Sequence, residues 1–149
     1  MQMRLIRNTS AACAASLIAA FGGIAQAQEV QEARKAVSIE LNAIKPTDGG
    51  CTLTFLAQNG HDSAIDKVVY ETVLFDTSGQ VDRLTLFDFG TLPAGRPRVR
   101  QFTVSGITCE GLGQILINGA HTCDAASLDD NACEAGLILE TRTEIEVIG

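Results

Sequence analysis

VVYETVLFDTSGQVDRLTLFDFGTLPAGRPRVRQFTV, residues Val68 to Val104, contains three apolar runs separated by two turn signals. The first signal is Asp76-Thr77-Ser78-Gly79, whose glycine can take a positive φ. The second is Leu92-Pro93-Ala94-Gly95-Arg96-Pro97, where two prolines and a glycine stop any regular element. The pattern predicts a three-stranded antiparallel meander. In Val68–Phe75, Val69, Val73 and Phe75 oppose Val68, Tyr70 and Leu74, so both faces are apolar and the strand is expected at the centre of its sheet. In Val81–Phe89, Leu84 and Leu86 oppose Val81, Phe87 and Phe89. Val99–Val104 is the third strand.

On either side the pattern stays β-like. Val37, Ile39 and Leu41 alternate with Ser38, Glu40 and Asn42, and Cys51, Leu53, Phe55 and Ala57 share one parity. Lys45–Gly50 and Asn59–Ser63 read as turns. Beyond Gly106 the apolar runs shorten to Ile107–Cys109 and Ile115–Ile117. The final stretch reads as one solvated strand, with Leu137, Leu139, Ile145 and Val147 on one parity and Glu140, Arg142, Glu144 and Glu146 on the other. About seven strands and no helical periodicity give an all-β expectation, an antiparallel immunoglobulin-like β-sandwich over residues 37–149.

The amino-terminus predicts a compartment. Arg4 and Arg7 precede an uncharged, Ala-rich run from Thr9 to Ile24, and Ala25-Gln26-Ala27 supplies small residues in the pattern of a signal-peptidase site. Residues 1–27 are therefore expected to be a cleavable Sec-type signal peptide, cut after Ala27. Residues 28–36 form a flexible lead, and the mature protein is periplasmic or secreted with no stable membrane span. The apolar run is short of the about 20 residues that a membrane-spanning helix needs.

Export fits the cysteines. Cys13 leaves with the signal, and Cys51, Cys109, Cys123 and Cys133 form an even set that reads as two disulfides. Cys109 and Cys123 flank the extended run Gln114–Ile117, which holds its ends apart at about 3.3 Å per residue. A bridge needs Cα atoms within about 7 Å. Cys123–Cys133 across the polar loop Asp124–Ala132 is the favoured pair, and Cys51–Cys109 follows by elimination.

The rhythm of the meander resembles the FxLYD-type modules of exported bacterial proteins: a strand ending Leu74-Phe75-Asp76, Ser78-Gly79, a strand from Val81, Leu92-Pro93-Ala94-Gly95 and Phe102-Thr103-Val104. The resemblance covers a minority of the chain. It implies an immunoglobulin-like sandwich that serves in interaction, and it transfers no catalytic residue.

Composition narrows the function further. The chain carries 11 Lys and Arg against 18 Asp and Glu; without Arg4 and Arg7 the balance is 9 to 18, a net charge of −9. That opposes nucleic acid and anionic membranes as partners. Trp is absent and aromatics are 5%, which works against sugar- or base-stacking platforms. His61 with Asp62, Ser63 and Asp66 holds the ingredients of nucleophilic chemistry but no nucleophile elbow, and reads as a turn. Asp82 with Asp88, and Asp129-Asp130-Asn131, read as solvated surface. His121, Cys123 and Cys133 are the alternative, a thiol or metal site whose spacing matches no standard zinc pattern. No cofactor, no metal and no catalytic residue are expected.

The one local departure from the acidic background is Arg96, Arg98 and Arg100, three of the nine mature-chain cations within five residues. They are expected either to dock a carboxylate-bearing envelope partner or to guard an edge strand against aggregation. On the docking reading the three are removable at little cost to the fold. The function expected from the sequence is thus a non-catalytic, exported interaction module.

Overall fold

The computed structural model describes residues 35–149. The predicted signal peptide and nearly all of the lead lie outside the described residues. Eight strands run in the order β1 (Val37–Thr47), β2 (Gly50–Asn59), β3 (Ile65–Asp76), β4 (Val81–Leu92), β5 (Arg98–Ser105), β6 (Leu112–Asp124), β7 (Ile138–Thr141) and β8 (Glu146–Ile148). They form two four-stranded sheets, β5-β2-β1-β7 and β4-β3-β6-β8. The chain is all-β and two-layered, as its alternation predicts.

The inward parities supply the core. Val37, Ile39 and Leu41 on β1, and Cys51, Leu53, Phe55 and Ala57 on β2, are fully buried. They face Val68, Tyr70 and Leu74 on β3 and Ile115 and Ile117 on β6. As expected, β3 is central, between β4 and β6. Its turn into β4 is held by Asp76, whose carboxylate accepts from the Ser78 hydroxyl and from the backbone N–H of Ser78 and Gln80. Gly79 closes that turn at φ 82°.

One margin of the sandwich, where β4 faces β5, is sealed by aromatic side chains. Phe87 and Phe102 stack with centroids 4.3 Å apart and planes 7° from parallel. Phe89 meets Phe102 and Tyr70 edge-on, and Phe55 packs against Phe87, Phe89 and Phe102. Pairs of this kind add about 0.5–1.5 kcal/mol each beyond the area they bury.

Three stretches depart from expectation. The Val68–Val104 meander is not formed: β3 and β4 make an antiparallel hairpin, but the third run, β5, pairs with β2 in the opposite sheet. The connection Pro93–Pro97, whose two prolines cannot donate to a ladder, crosses to the facing sheet instead of turning back along β4. The short runs after Gly106 become a single 13-residue strand, β6, preceded by a connection that buries Ile107 and Cys109. Its second half lacks apolar alternation because it carries register shifts against β3, between Val69 and Tyr70 and between Glu71 and Thr72. Each shift inserts a residue and turns the side-chain parity. The final stretch is not one strand. β7 pairs in parallel with β1 and β8 in parallel with β6, so the chain changes sheet between Thr141 and Glu146. Hydroxyls make this corner: Thr141 Oγ1 accepts from Thr143 N–H, and Thr143 Oγ1 from Ile145 N–H, which bends a sequence whose parity alone looks continuous. Arg142 clips the corner to β1, donating from its backbone to Leu41 O and from Nε to Glu40 at 2.7 Å.

Both disulfides pair as the spacing argument requires. Cys51–Cys109 joins β2 to the connection before β6 with Cα atoms 4.9 Å apart, and Cys123–Cys133 ties the end of β6 to its loop at 6.0 Å. The fully buried Tyr70 hydroxyl donates to Cys133 O at 2.6 Å, which locks that loop onto β3. Burial raises the Tyr70 pKa well above the usual phenol value. Two bridges are compatible with an oxidising compartment.

The loops enclosed by the bridges differ, 58 against 10 residues of separation. Chain-entropy arithmetic then makes the first worth about 4 kcal/mol and the second about 3. Urea unfolding of C51A/C109A and C123A/C133A should show this order, and the reverse order would contradict it. A pH series tests the Glu40 clip. The hydrogen bonds from Arg142 and then Asn42 hold the Glu40 carboxyl below its ordinary value of 4.5. Its contribution is therefore complete above about pH 4.5 and is lost as pH falls through the lower native value. The melting-temperature gap between wild type and E40Q should shrink to nothing on acidification, whereas a constant gap would mean that the ion pair contributes nothing to stability.

Candidate functional site

Strand β4 lies at the edge of its sheet and carries apolar residues on both faces. Phe87 and Phe89 point inward to the aromatic seam, so strand alternation sends Leu84 and Leu86 outward. Val81 joins them, although its parity is odd. A register shift places Val81 opposite Phe75, while Arg83 lies opposite Leu74, so Asp82 is the inserted residue. Val81 is 61% exposed, Leu84 56% and Leu86 47%.

The register extends this patch across the whole outer face of the sheet. Leu84 on β4 lies opposite Val73 on β3, Val73 opposite Leu116 on β6, and Leu116 opposite Ile148 on β8. These four form one apolar row. On one side runs the row Val81, Phe75, Gln114, Glu146, and on the other Leu86, Glu71 and Gly119. The inner-face residues of the same strands, Val68, Tyr70, Leu74, Ile115 and Val147, belong to the core. The ends of the outer row, Leu84 and Ile148, are exposed, while Val73 between them is 8% exposed and Leu116 is half-buried among their neighbours on the same sheet. Contiguous exposed apolar surface of this kind marks contact sites on folded proteins.

Of the three arginines, Arg98 and Arg100 lie on strand β5, which is an edge strand, and Arg96 precedes it. Arg100 turns back to the seam. Its Nε donates to Phe89 O at 2.6 Å and its guanidinium also reaches Thr91 O and Val99 O. It thereby covers part of the β4 edge. Arg98 bonds the neighbouring Pro97 O, and Arg96 sits exposed in the β4–β5 connection. The fold thus separates the set, with Arg100 closing the margin and Arg96 and Arg98 directed to solvent or to local carbonyls. The expectation that all three are removable at little cost needs revision at Arg100, because two of the carbonyls it satisfies belong to the neighbouring strand.

Elsewhere the structure gives structural roles to residues with chemical potential. Cys123 and Cys133 are bonded to each other, which does not favour a thiol or metal site with His121, itself exposed. Among the described residues no group of three His, Cys, Asp or Glu side chains is arranged to hold a metal ion. His61 Nε2 donates to Ala132 O at 2.9 Å, and Asp62 pairs with Lys35. These residues line a cavity of about 650 Å³ with Ser63, Leu128 and Asn131. Asn59, a turn residue by its sequence context, is fully buried: its amide donates to Ser63 O and Leu92 O, and Oδ1 accepts from His61 N–H. It anchors the loop at its root.

Sequence reading does not single out the outer apolar row. The signal is present in β4, whose apolar residues occupy both parities. A two-layer fold can bury only one of them.

No family model, curated protein or solved structure matches the chain.

Loss of Arg100 opens carbonyls at the seam, and hydrogen bonds from a charged donor are worth about 1.5–3 kcal/mol. R100A should therefore lower the melting temperature by several degrees, while R96A changes it by less than one or two. Equal, negligible shifts would show that Arg100 is a free surface charge.

Proposed function

We propose that the protein is an exported, non-catalytic β-sandwich that binds another protein of the envelope. The observation that carries this reading is the exposed apolar group Val81, Leu84 and Leu86 on β4, continued through Val73 and Leu116 to the exposed Ile148 on β8. Export to the periplasm or beyond is supported by the Arg4–Ala27 leader pattern and by the two disulfides.

The immunoglobulin-like reading is supported by the pairings β1-β2-β5 and β4-β3-β6, which follow the strand order of the two sheets of that fold. The carboxy-terminal strands depart from it by pairing in parallel. The likeness to FxLYD-type modules points the same way, toward an interaction role. Arg96 and Arg98 remain free to make a secondary contact with a carboxylate-bearing partner, beside an edge strand whose Val99 is also outward.

Affinity capture from the native envelope with three baits tests the reading. Wild type and R96A/R98A should retain a common partner, and L84S/L86S should lose it with its fold and melting temperature kept. Retention by L84S/L86S with loss from R96A/R98A would move the contact to the arginines. Equal capture by all three would refute the outer-face reading.

A further inference from the structure

The rim of the apolar row narrows what can sit on it, on the reading of the outer face as a binding surface. Glu71 flanks the row on one side and Glu146 on the other. Glu71 accepts a hydrogen bond from the Asn118 amide and Glu146 one from the Gln114 amide. Both partners are neutral. Among the described residues neither carboxylate has a Lys, Arg or His within salt-bridge distance, while Asp82 is matched by Arg83 and Asp88 by Lys67. The face therefore presents an apolar stripe with an uncompensated negative charge on each flank.

The dimensions suit one element. Three inter-strand spacings make the row roughly 14 Å long, and residues two apart on a strand put the flanking rows roughly 7 Å to either side. An α-helix, about 10 Å across with a rise of about 1.5 Å per residue, fits that stripe along about ten residues. An amphipathic helix with basic residues bordering its apolar stripe can lay Lys or Arg stems over the rim and reach both carboxylates at once. A second copy of this chain suits it poorly, because two faces each bearing Glu71 and Glu146 repel and the mature chain carries −9.

We infer that the outer face of β4-β3-β6-β8 receives an amphipathic helix of a partner protein whose apolar stripe is bordered by Lys or Arg. Leu84, Leu86 and Val81 at the β4 end and Ile148 at the β8 end take its apolar side chains, with Val73 and the half-buried Leu116 as the floor between them. Glu71 and Glu146 take its cations and set the sign of the partner.

Three designed helical peptides test this against the mature, oxidised protein by fluorescence anisotropy. One carries a Leu stripe bordered by Lys, one the same stripe bordered by Glu, and one the Lys composition scrambled so that no stripe forms. The Lys-bordered helix should bind the wild type, and the other two should bind at least tenfold more weakly. Its affinity should fall about fivefold in E71Q/E146Q, and the salt dependence should flatten. Equal binding of the Lys- and Glu-bordered helices, both lost in L84S/L86S, would overturn the basic partner while keeping the face. Lys-helix binding unchanged in L84S/L86S would remove the face itself. Absence of binding, or equal binding of the scrambled peptide, also refutes the inference. So does a dimer in sedimentation that dissociates in L84S, since the occupant would then be a second copy.

Discussion

A two-sheet sandwich has to be closed along its margins, and the closure between β4 and β5 governs the rest of this protein's architecture. Phe87 of one edge strand lies flat on Phe102 of the other, with Phe89, Phe55 and Tyr70 packed around them. Arg100 then bonds the β4 carbonyls of Phe89 and Thr91 from across the seam. The chain has few aromatics, and it gathers these five at one place. Placing Phe87 and Phe89 in the seam fixes the orientation of β4. Strand alternation then leaves Leu84 and Leu86 no direction but outward.

The same constraint links stability to function. Core, seam and bridges lie inward or at the margins: Cys51–Cys109 pins the connection before β6, and Tyr70 holds the Cys123–Cys133 loop. None of them depends on the outer row of β4-β3-β6-β8. The exposed Val81, Leu84 and Leu86 can therefore change without loss of the fold, as the proposed binding surface requires. The exposed apolar atoms there gain nothing from the described domain itself, and contact with a partner is what would bury them.

Sequence reading reaches the fold through residues that keep strict alternation. Val37, Ile39, Leu41, Leu53 and Phe55 announce β1 and β2, and the spacing of the cysteines selects both bridges. It fails where a bulge or a hydroxyl-bonded bend breaks the parity, and at β5, because alternation shows a strand but not that it pairs with β2 of the facing sheet rather than with β4. The second half of β6 is hidden by register shifts near Asn118, and the split of the last strand by the turns at Thr141 and Thr143. Asn59 looks like loop material because its buried hydrogen bonds run to Ser63 and Leu92, the latter 33 positions away. The candidate face is half legible. Two-sided apolarity of β3 and β4 is visible, but which side stays uncovered depends on how the sheets pack. The arginines draw attention by composition, and only the fold shows that Arg100 belongs to the seam.

The orientation of β4 is the claim on which both the fold and the proposed surface rest. Methyl and aromatic-ring NMR of residues 28–149 with a soluble paramagnetic agent measures it directly. Strong broadening of the Leu84, Leu86 and Val81 methyls is expected, with Leu74, Leu92 and Leu53 untouched. Protection of Leu84 and Leu86, with broadening of the Phe87 and Phe89 rings instead, would show that β4 is turned the other way and would contradict it.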